Sequence, residues 1–314
     1  MDRAYEGLVP GFERLMALDE HPTPADAGDA AGRAERPESP GRAIARGVRA
    51  ARFELIPVAG AFDAAVGALP PGASVTVTCS PVNGLDPTLE LCERLAAAGV
   101  AVTPHLAARS VRDRGHLADV LGRLGAAGIT RAFVVAGDAK VPGDYPDGLS
   151  LLRAIDAAGH GFDEIGVPAY PDGHPFIPSD VLMGAVLDKQ SLATYATTQL
   201  CYDAPTVASW IVSARAAGLE LPLEIGIPGP ADITKLLRVS ARIGVADAAG
   251  YLRKNRGLVG AVLRRRAFRP DPVLAALARV FADPAAGVAR LHVYTFGQVA
   301  AAVAWQARTL ARLG

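Results

Sequence analysis

Cysteine is scarce in this 314-residue chain, and its scarcity excludes a disulfide framework: Cys79, Cys92 and Cys201 form no CxxC pair and, being three, cannot all pair with one another. Such usage suits a reducing compartment. Net charge is lacking too, with 32 basic against 32 acidic side chains, so nothing in the composition calls for a nucleic-acid or acidic-membrane partner. No apolar run approaches the roughly 18 residues of a membrane span, and the opening MDRAYEGLVPGFERLM has no continuous apolar stretch, so the expectation is a soluble, cytoplasmic protein. No GxGxxG follows the first strand-like run, which weakens a dinucleotide-binding open sheet. No HxH or HExxH offers metal-ligand spacing, and no GxSxG marks a serine nucleophile, so neither a metal site nor a covalent hydrolase is expected.

What is present is a large apolar fraction, half of all residues, enough for a sizeable core. It is unevenly placed. Asp19 to Arg46 are rich in Asp, Glu, Ala, Pro, Gly and Arg and nearly devoid of large apolar side chains, the composition of a flexible tail. Tyr5 to Leu18 suit a short amphipathic helix. Residues 1–48 therefore read as a partly disordered N-terminal extension, and residues 49–314 as one domain.

From Arg49 onward short apolar runs alternate with Ala- and Leu-rich helical stretches. The strand candidates are Phe53–Pro57, Ser74–Cys79, Val100–His105, Ala132–Ala136, Glu164–Ala169, Tyr195–Leu200, Pro222–Ile227 and Leu291–Phe296. Helices are expected at Asp86–Ala98, Val111–Ala127, Gly148–Ala158, Pro205–Ala217 and Ala231–Ile243, each followed by a glycine stop. Runs such as RAFVVAG and PLEIGI are apolar without clean alternation, as when helices cover both sheet faces. Eight such units predict a closed (β/α)8 TIM barrel. The basic cluster Arg264–Arg266 reads as a solvated face.

A barrel of this kind carries its chemistry at the C-terminal ends of its strands, where the βα-loops converge. The polar residues expected there are Glu54, Thr76, Thr78, His105, Asp138, Tyr170, His174, Thr198, Gln199 and Asp203. The loop GVPAYPDGHP, Gly166 to Pro175, has prolines and glycines to hold Tyr170, Asp172 and His174 toward a ligand, though a plain rigid turn has the same composition. Glu54, flanked by Phe53, Leu55 and Ile56, is a general-acid candidate in apolar surroundings, or else a structural partner of an arginine. Asp138 can meet a ligand or cap a turn. His105 reads as a hydrogen-bonded wall residue.

Taken together, FELIP, SVTVTC, TPHLAAR, VVAGD, GVPAYPDGHP, TTQLCYD and HVYTF, in that order from Phe53 to the C-terminus, resemble the motifs of the methylenetetrahydrofolate reductase family. The resemblance implies reduction of 5,10-methylenetetrahydrofolate to 5-methyltetrahydrofolate with NADH or NADPH, through bound FAD. Carried over by residue, it implies Glu54 as the acid that opens the folate ring to an iminium, Asp138 as electrostatic support for that cation, and Gln199 as a hydrogen-bonding partner of the pterin or the nicotinamide. It places Thr78, His105, Asp138, Tyr145, Ala169, Tyr170, His174 and Lys189 about the flavin.

Departures from the family pattern accompany the likeness. Ala136 stands where the family has arginine, the loop from Asp138 to Tyr145 is short, Asp188 replaces a basic residue, and Gly297-Gln298 replaces Asn-Arg. They leave two further readings: direct hydride transfer from NAD(P)H without flavin, and a non-catalytic folate-binding barrel. A homo-oligomer is compatible with the sequence.

Overall fold

A computed structural model describes residues 38–80, 82–232 and 267–314. Eight parallel strands close on themselves: β1 (Arg52–Leu55), β2 (Ser74–Val77), β3 (Ala101–Ala107), β4 (Arg131–Val135), β5 (Glu164–Ala169), β6 (Tyr195–Thr198), β7 (Leu223–Pro228) and β8 (Val288–Tyr294). Each pairs with its neighbours in chain order, and β8 returns to β1 with Arg52 opposite His292 and Glu54 opposite Tyr294. All eight expected strands are present, most within two residues of their expected ends.

Helices follow the strands: α2 (Ala61–Val66), α3 (Asp86–Ala97), α4 (Arg114–Ala126), α5 (Gly148–Ala158), α6 (Ser179–Leu187), α7 (Ala204–Ala216), α8 (Asp271–Ala282) and α9 (Val299–Leu313), preceded by α1 (Pro40–Arg49). Their starts are written in side chains. Asp113 caps α4 through the His116 amide, and Asp147 and Ser150 form a reciprocal capping box on α5. Leu89, Leu95, Leu117, Leu124, Leu151 and Ile155 from these helices are almost fully buried against Val75, Val102, Val134 and Ile165 of the strands. This layer between sheet and helices is the hydrophobic core.

The start of the domain requires a correction. The reading that carries a flexible tail through Arg46 fails from Pro40 onward, where α1 begins with Ser39 accepting the Arg42 amide and proline in the first turn. Ala43, Ile44, Gly47 and Val48 fall on one face and are buried against α8 and α9. Only two of these are large and apolar, which is why composition hid the helix. Gly47 matters through its lack of a side chain: a Cβ there would lie 2.2 Å from the Phe281 ring. Arg46 adds hydrogen bonds to the Phe281, Val288 and Ala289 carbonyls.

The expected helix Ala231–Ile243 opens instead with a two-residue antiparallel pairing of Ala231–Asp232 with Ala267–Phe268. Tyr5–Leu18, the remainder of Ala231–Ile243 and Arg264–Arg266 lie outside the described residues.

Candidate active site

The interior of the barrel is polar. Its N-terminal half is filled by an ionic lattice in which fully buried Arg52 donates to Glu164 Oε2 at 2.6 Å, to Ser74 Oγ at 3.2 Å and to the Tyr195 hydroxyl, and pairs with Glu224 at 3.4 Å. Arg131 joins Glu164 at 3.3 Å, and Arg290 joins Glu224 at 3.2 Å. Buried charges persist only when paired in this way. A cavity of about 460 Å³ opens at this end, lined in part by Arg49, Arg131, Arg290 and Gln306. It lies opposite the strand ends where barrel chemistry is placed.

Above the lattice stands His292 of β8, whose Nδ1 is 3.7 Å from Glu224 Oε2 and whose Nε2 is 3.4 Å from Glu54 Oε2. The first separation is that of an ion pair, the second of a long hydrogen bond. Burial alone would lower the proton affinity of His292; its contacts with Glu224 and Glu54 overcome that and raise it. Glu224 shows the mirror image, burial opposed and outweighed by His292, Arg52 and Arg290, so that its pKa is lowered.

Glu54 therefore sits where expected, facing the strand mouths, but for a different reason. Strand alternation sends Phe53 and Leu55 into the hydrophobic layer, so the neighbours of Glu54 in space are polar. Its partner is His292, neither an apolar wall nor an arginine. Thr295 donates to the Glu54 carbonyl at 2.5 Å, fixing the backbone of β1 against the end of β8. Tyr294, its hydroxyl 3.3 Å from the Thr198 carbonyl, has a strongly raised pKa through burial and the nearby Glu54 and Tyr170.

Tyr170 leads across the mouth to Asp138, whose charge adds to burial in raising the phenol's pKa. Asp138 is exposed and caps no helix, since Asp147 caps α5. Gly137 brings it there with φ of +80°, and a Cβ at that glycine would lie 2.8 Å from Ala107 Cβ. Arg109 ties down the same loop by donating to the Ala139 carbonyl at 2.8 Å. A guanidinium thus stands near the position where Ala136 lacks one, committed to backbone. His174 packs edge-on to Tyr170 at 5.8 Å, and the Gly173 amide donates to the Tyr170 carbonyl within the same loop.

Other candidates are displaced from their expected roles. Gln199 is half-buried and its Oε1 accepts the Leu200 amide at 2.8 Å, which leaves its NH2 group as the end available to a ligand. Asp203 caps α7, accepting from the Thr206 amide and hydroxyl. His105 is enclosed, its ring 4.7 Å from that of Phe133 and its Nε2 without a hydrogen-bond partner, and burial lowers its pKa to about 4. Where a hydrogen-bonded wall residue was expected, the ring lies tilted against Phe133. Tyr145 is buried beside Asp144 and Asp113, and Lys189 lies against Gly148 with Asp147 near its ammonium. Ala169 is buried, its carbonyl accepting the Gln199 amide.

Of the eight residues the resemblance gives to the flavin, Thr78, Asp138, Tyr170 and His174 therefore stand about the strand mouths. His105, Tyr145 and Ala169 are buried, and Lys189 is half-buried. Among the described residues no group of three or more histidine, cysteine or carboxylate side chains gathers as a metal site. No described helix is long and apolar enough to cross a membrane.

His292, Glu224, Arg52 and Tyr294 went unremarked in the sequence. A signal existed for two of them: Arg52 and Glu224 sit in or beside otherwise apolar strand runs, where a charge needs a buried partner.

No family model matches the chain. Methylenetetrahydrofolate reductase 2 of Saccharomyces cerevisiae is 32% identical over 98 residues, 30% of this chain and 16% of the yeast protein, so the match spans a small part of that relative. Among solved structures, a chain described as a phosphonomutase from Burkholderia cenocepacia J2315 aligns over 71% of this chain and 97% of its own at 17% identity and a TM-score of 0.40. A lyase/mutase from the same organism aligns over 71% and 87% at 18% identity and 0.39. At those scores they carry no argument about chemistry.

Proposed function

We propose that this barrel reduces 5,10-methylenetetrahydrofolate to 5-methyltetrahydrofolate with NAD(P)H as the source of hydride. The observation that carries the reading is the pairing of Glu54 with His292 at the strand mouths, where the loops after β4 and β5 present Asp138 and Tyr170. The ordered motifs and the short yeast match support it.

Hydride transfer to the methylene carbon needs the folate ring opened first. A proton given to the departing ring nitrogen lets the C–N bond break and leaves an iminium carbon, and Glu54 is the acid placed to give it. The carboxylate of Asp138 stabilises the cation that forms. The NH2 group of Gln199 hydrogen-bonds an acceptor on the pterin or nicotinamide. Hydride from NAD(P)H then reaches the methylene carbon, with the protein positioning and polarising.

The family route through bound FAD and a direct route from NAD(P)H differ in what they ask of the mouth. The enclosed His105, the buried Tyr145 and the absent cation at Ala136 favour the direct route. The visible spectrum of freshly purified protein separates them: flavin bands support the first, and their absence together with folate-dependent NAD(P)H oxidation supports the second. Failure of NAD(P)H oxidation to respond to the folate contradicts both.

A further inference from the structure

His292 is held between carboxylates from two other strands, and the two are not equivalent. Glu224, 1% exposed, has Arg290 at 3.2 Å and Arg52 at 3.4 Å, so its charge is compensated and it stays ionised. Among the described residues Glu54 has one ion-pair partner, His292. The groups gathered about this imidazole are Glu54 and Arg52 of β1, His105 of β3, Glu224 of β7, and Arg290 and Tyr294 of its own strand, with the Tyr294 ring 4.9 Å away. His105 is neutral and the arginines are engaged by carboxylates, so the mobile proton of the cluster lies between Glu54 and His292.

We propose that His292 is the positioning and proton-holding partner of Glu54, oriented from behind by Glu224, so that acid and imidazole share one proton. The charge of Glu224 keeps a proton on Nδ1 and leaves Nε2 to exchange with Glu54. Resting on the reading of Glu54 as the acid, the step balances as follows. The shared proton moves from Glu54 to the substrate nitrogen, whose C–N bond breaks with its electron pair. Glu54 is left as a carboxylate beside a neutral His292 that keeps its Nδ1 proton. Solvent returns one proton to the pair after product leaves, and the acid is reset.

The test titrates His292 by NMR in protein labelled with nitrogen-15 at histidine, in wild type and in Glu54→Gln, with no folate present. Loss of the Glu54 carboxylate is expected to lower the His292 midpoint by about one pH unit or more, and an unchanged midpoint overturns the proposal. In turnover, His292→Gln is expected to reduce kcat about 100-fold with KM within about threefold, and to change the shape of the pH profile. A wild-type profile in that variant also overturns it. Should His292→Gln not fold, the titration in Glu54→Gln decides alone. Should wild type not reduce the folate, the functional reading falls while the titration still decides the pairing.

Discussion

Glu54 and His292 meet across the closure of the barrel, Oε2 to Nε2 at 3.4 Å, although 238 residues separate them in the chain. Closure of β8 onto β1 makes the contact, and every functional expectation below depends on it.

Replacing the acid is the first. Glu54→Gln keeps size and hydrogen-bonding shape but cannot give up a proton, so folate-dependent NAD(P)H oxidation should fall by at least about 100-fold, the range for losing a positioned acid. Circular dichroism should change little, because the Glu54 backbone is held through Thr295. Retained activity removes Glu54 from the mechanism.

Stability should depend on pH in two directions around the same cluster. His292 has a raised pKa in the fold, so its contribution is complete below its ordinary value of 6.5 and is lost as pH rises through the raised value. Glu224 has a lowered pKa, so its contribution is present above 4.5 and is lost as pH falls through the depressed value. Melting temperatures of wild type and His292→Gln across this range should converge at high pH, with the variant showing less decline above 6.5. Parallel curves throughout contradict the assignment.

Removing Arg52 tests the lattice beneath the site. Arg52→Met leaves Glu164 and Glu224 with one fewer buried cation, and truncating one partner of a buried pair costs about 3–5 kcal/mol. Denaturant unfolding measures it. A loss below about 1 kcal/mol shows that Arg131 and Arg290 suffice to neutralise both acids.

Gly47 tests the corrected domain boundary. Gly47→Ala drives a methyl into the Phe281 ring and should cost about 1–3 kcal/mol by overpacking, while Phe281→Leu in the same chain should recover part of it. Were residues 40–49 a loose tail, both variants would melt with wild type.

The fold was legible because strand runs and glycine stops are local signals. Gly99 and Gly128 end α3 and α4 with φ of +79° and +67°, as their positions in the sequence suggest. Helix α1 was not, since Ile44 and Val48 are too few to outweigh the alanines, glycines and arginines around them; its close packing under α8 uses Ala43 and Gly47, small residues four apart on one face. Of the site, Glu54, Asp138 and Tyr170 were readable as polar residues at strand ends. His292 and Glu224 were not, because what brings them together is the pairing of β7 with β8. The contact of the His105 ring with Phe133 was not readable for the same reason, since it depends on a neighbouring strand.

The most direct measurement is the stoichiometry of NAD(P)H consumed per 5-methyltetrahydrofolate formed by the purified protein, alongside Glu54→Gln. Equal amounts consumed and formed by wild type, with neither detectable in the variant, is the result expected. NAD(P)H consumption that ignores the folate, or product formation that persists without Glu54, contradicts the account.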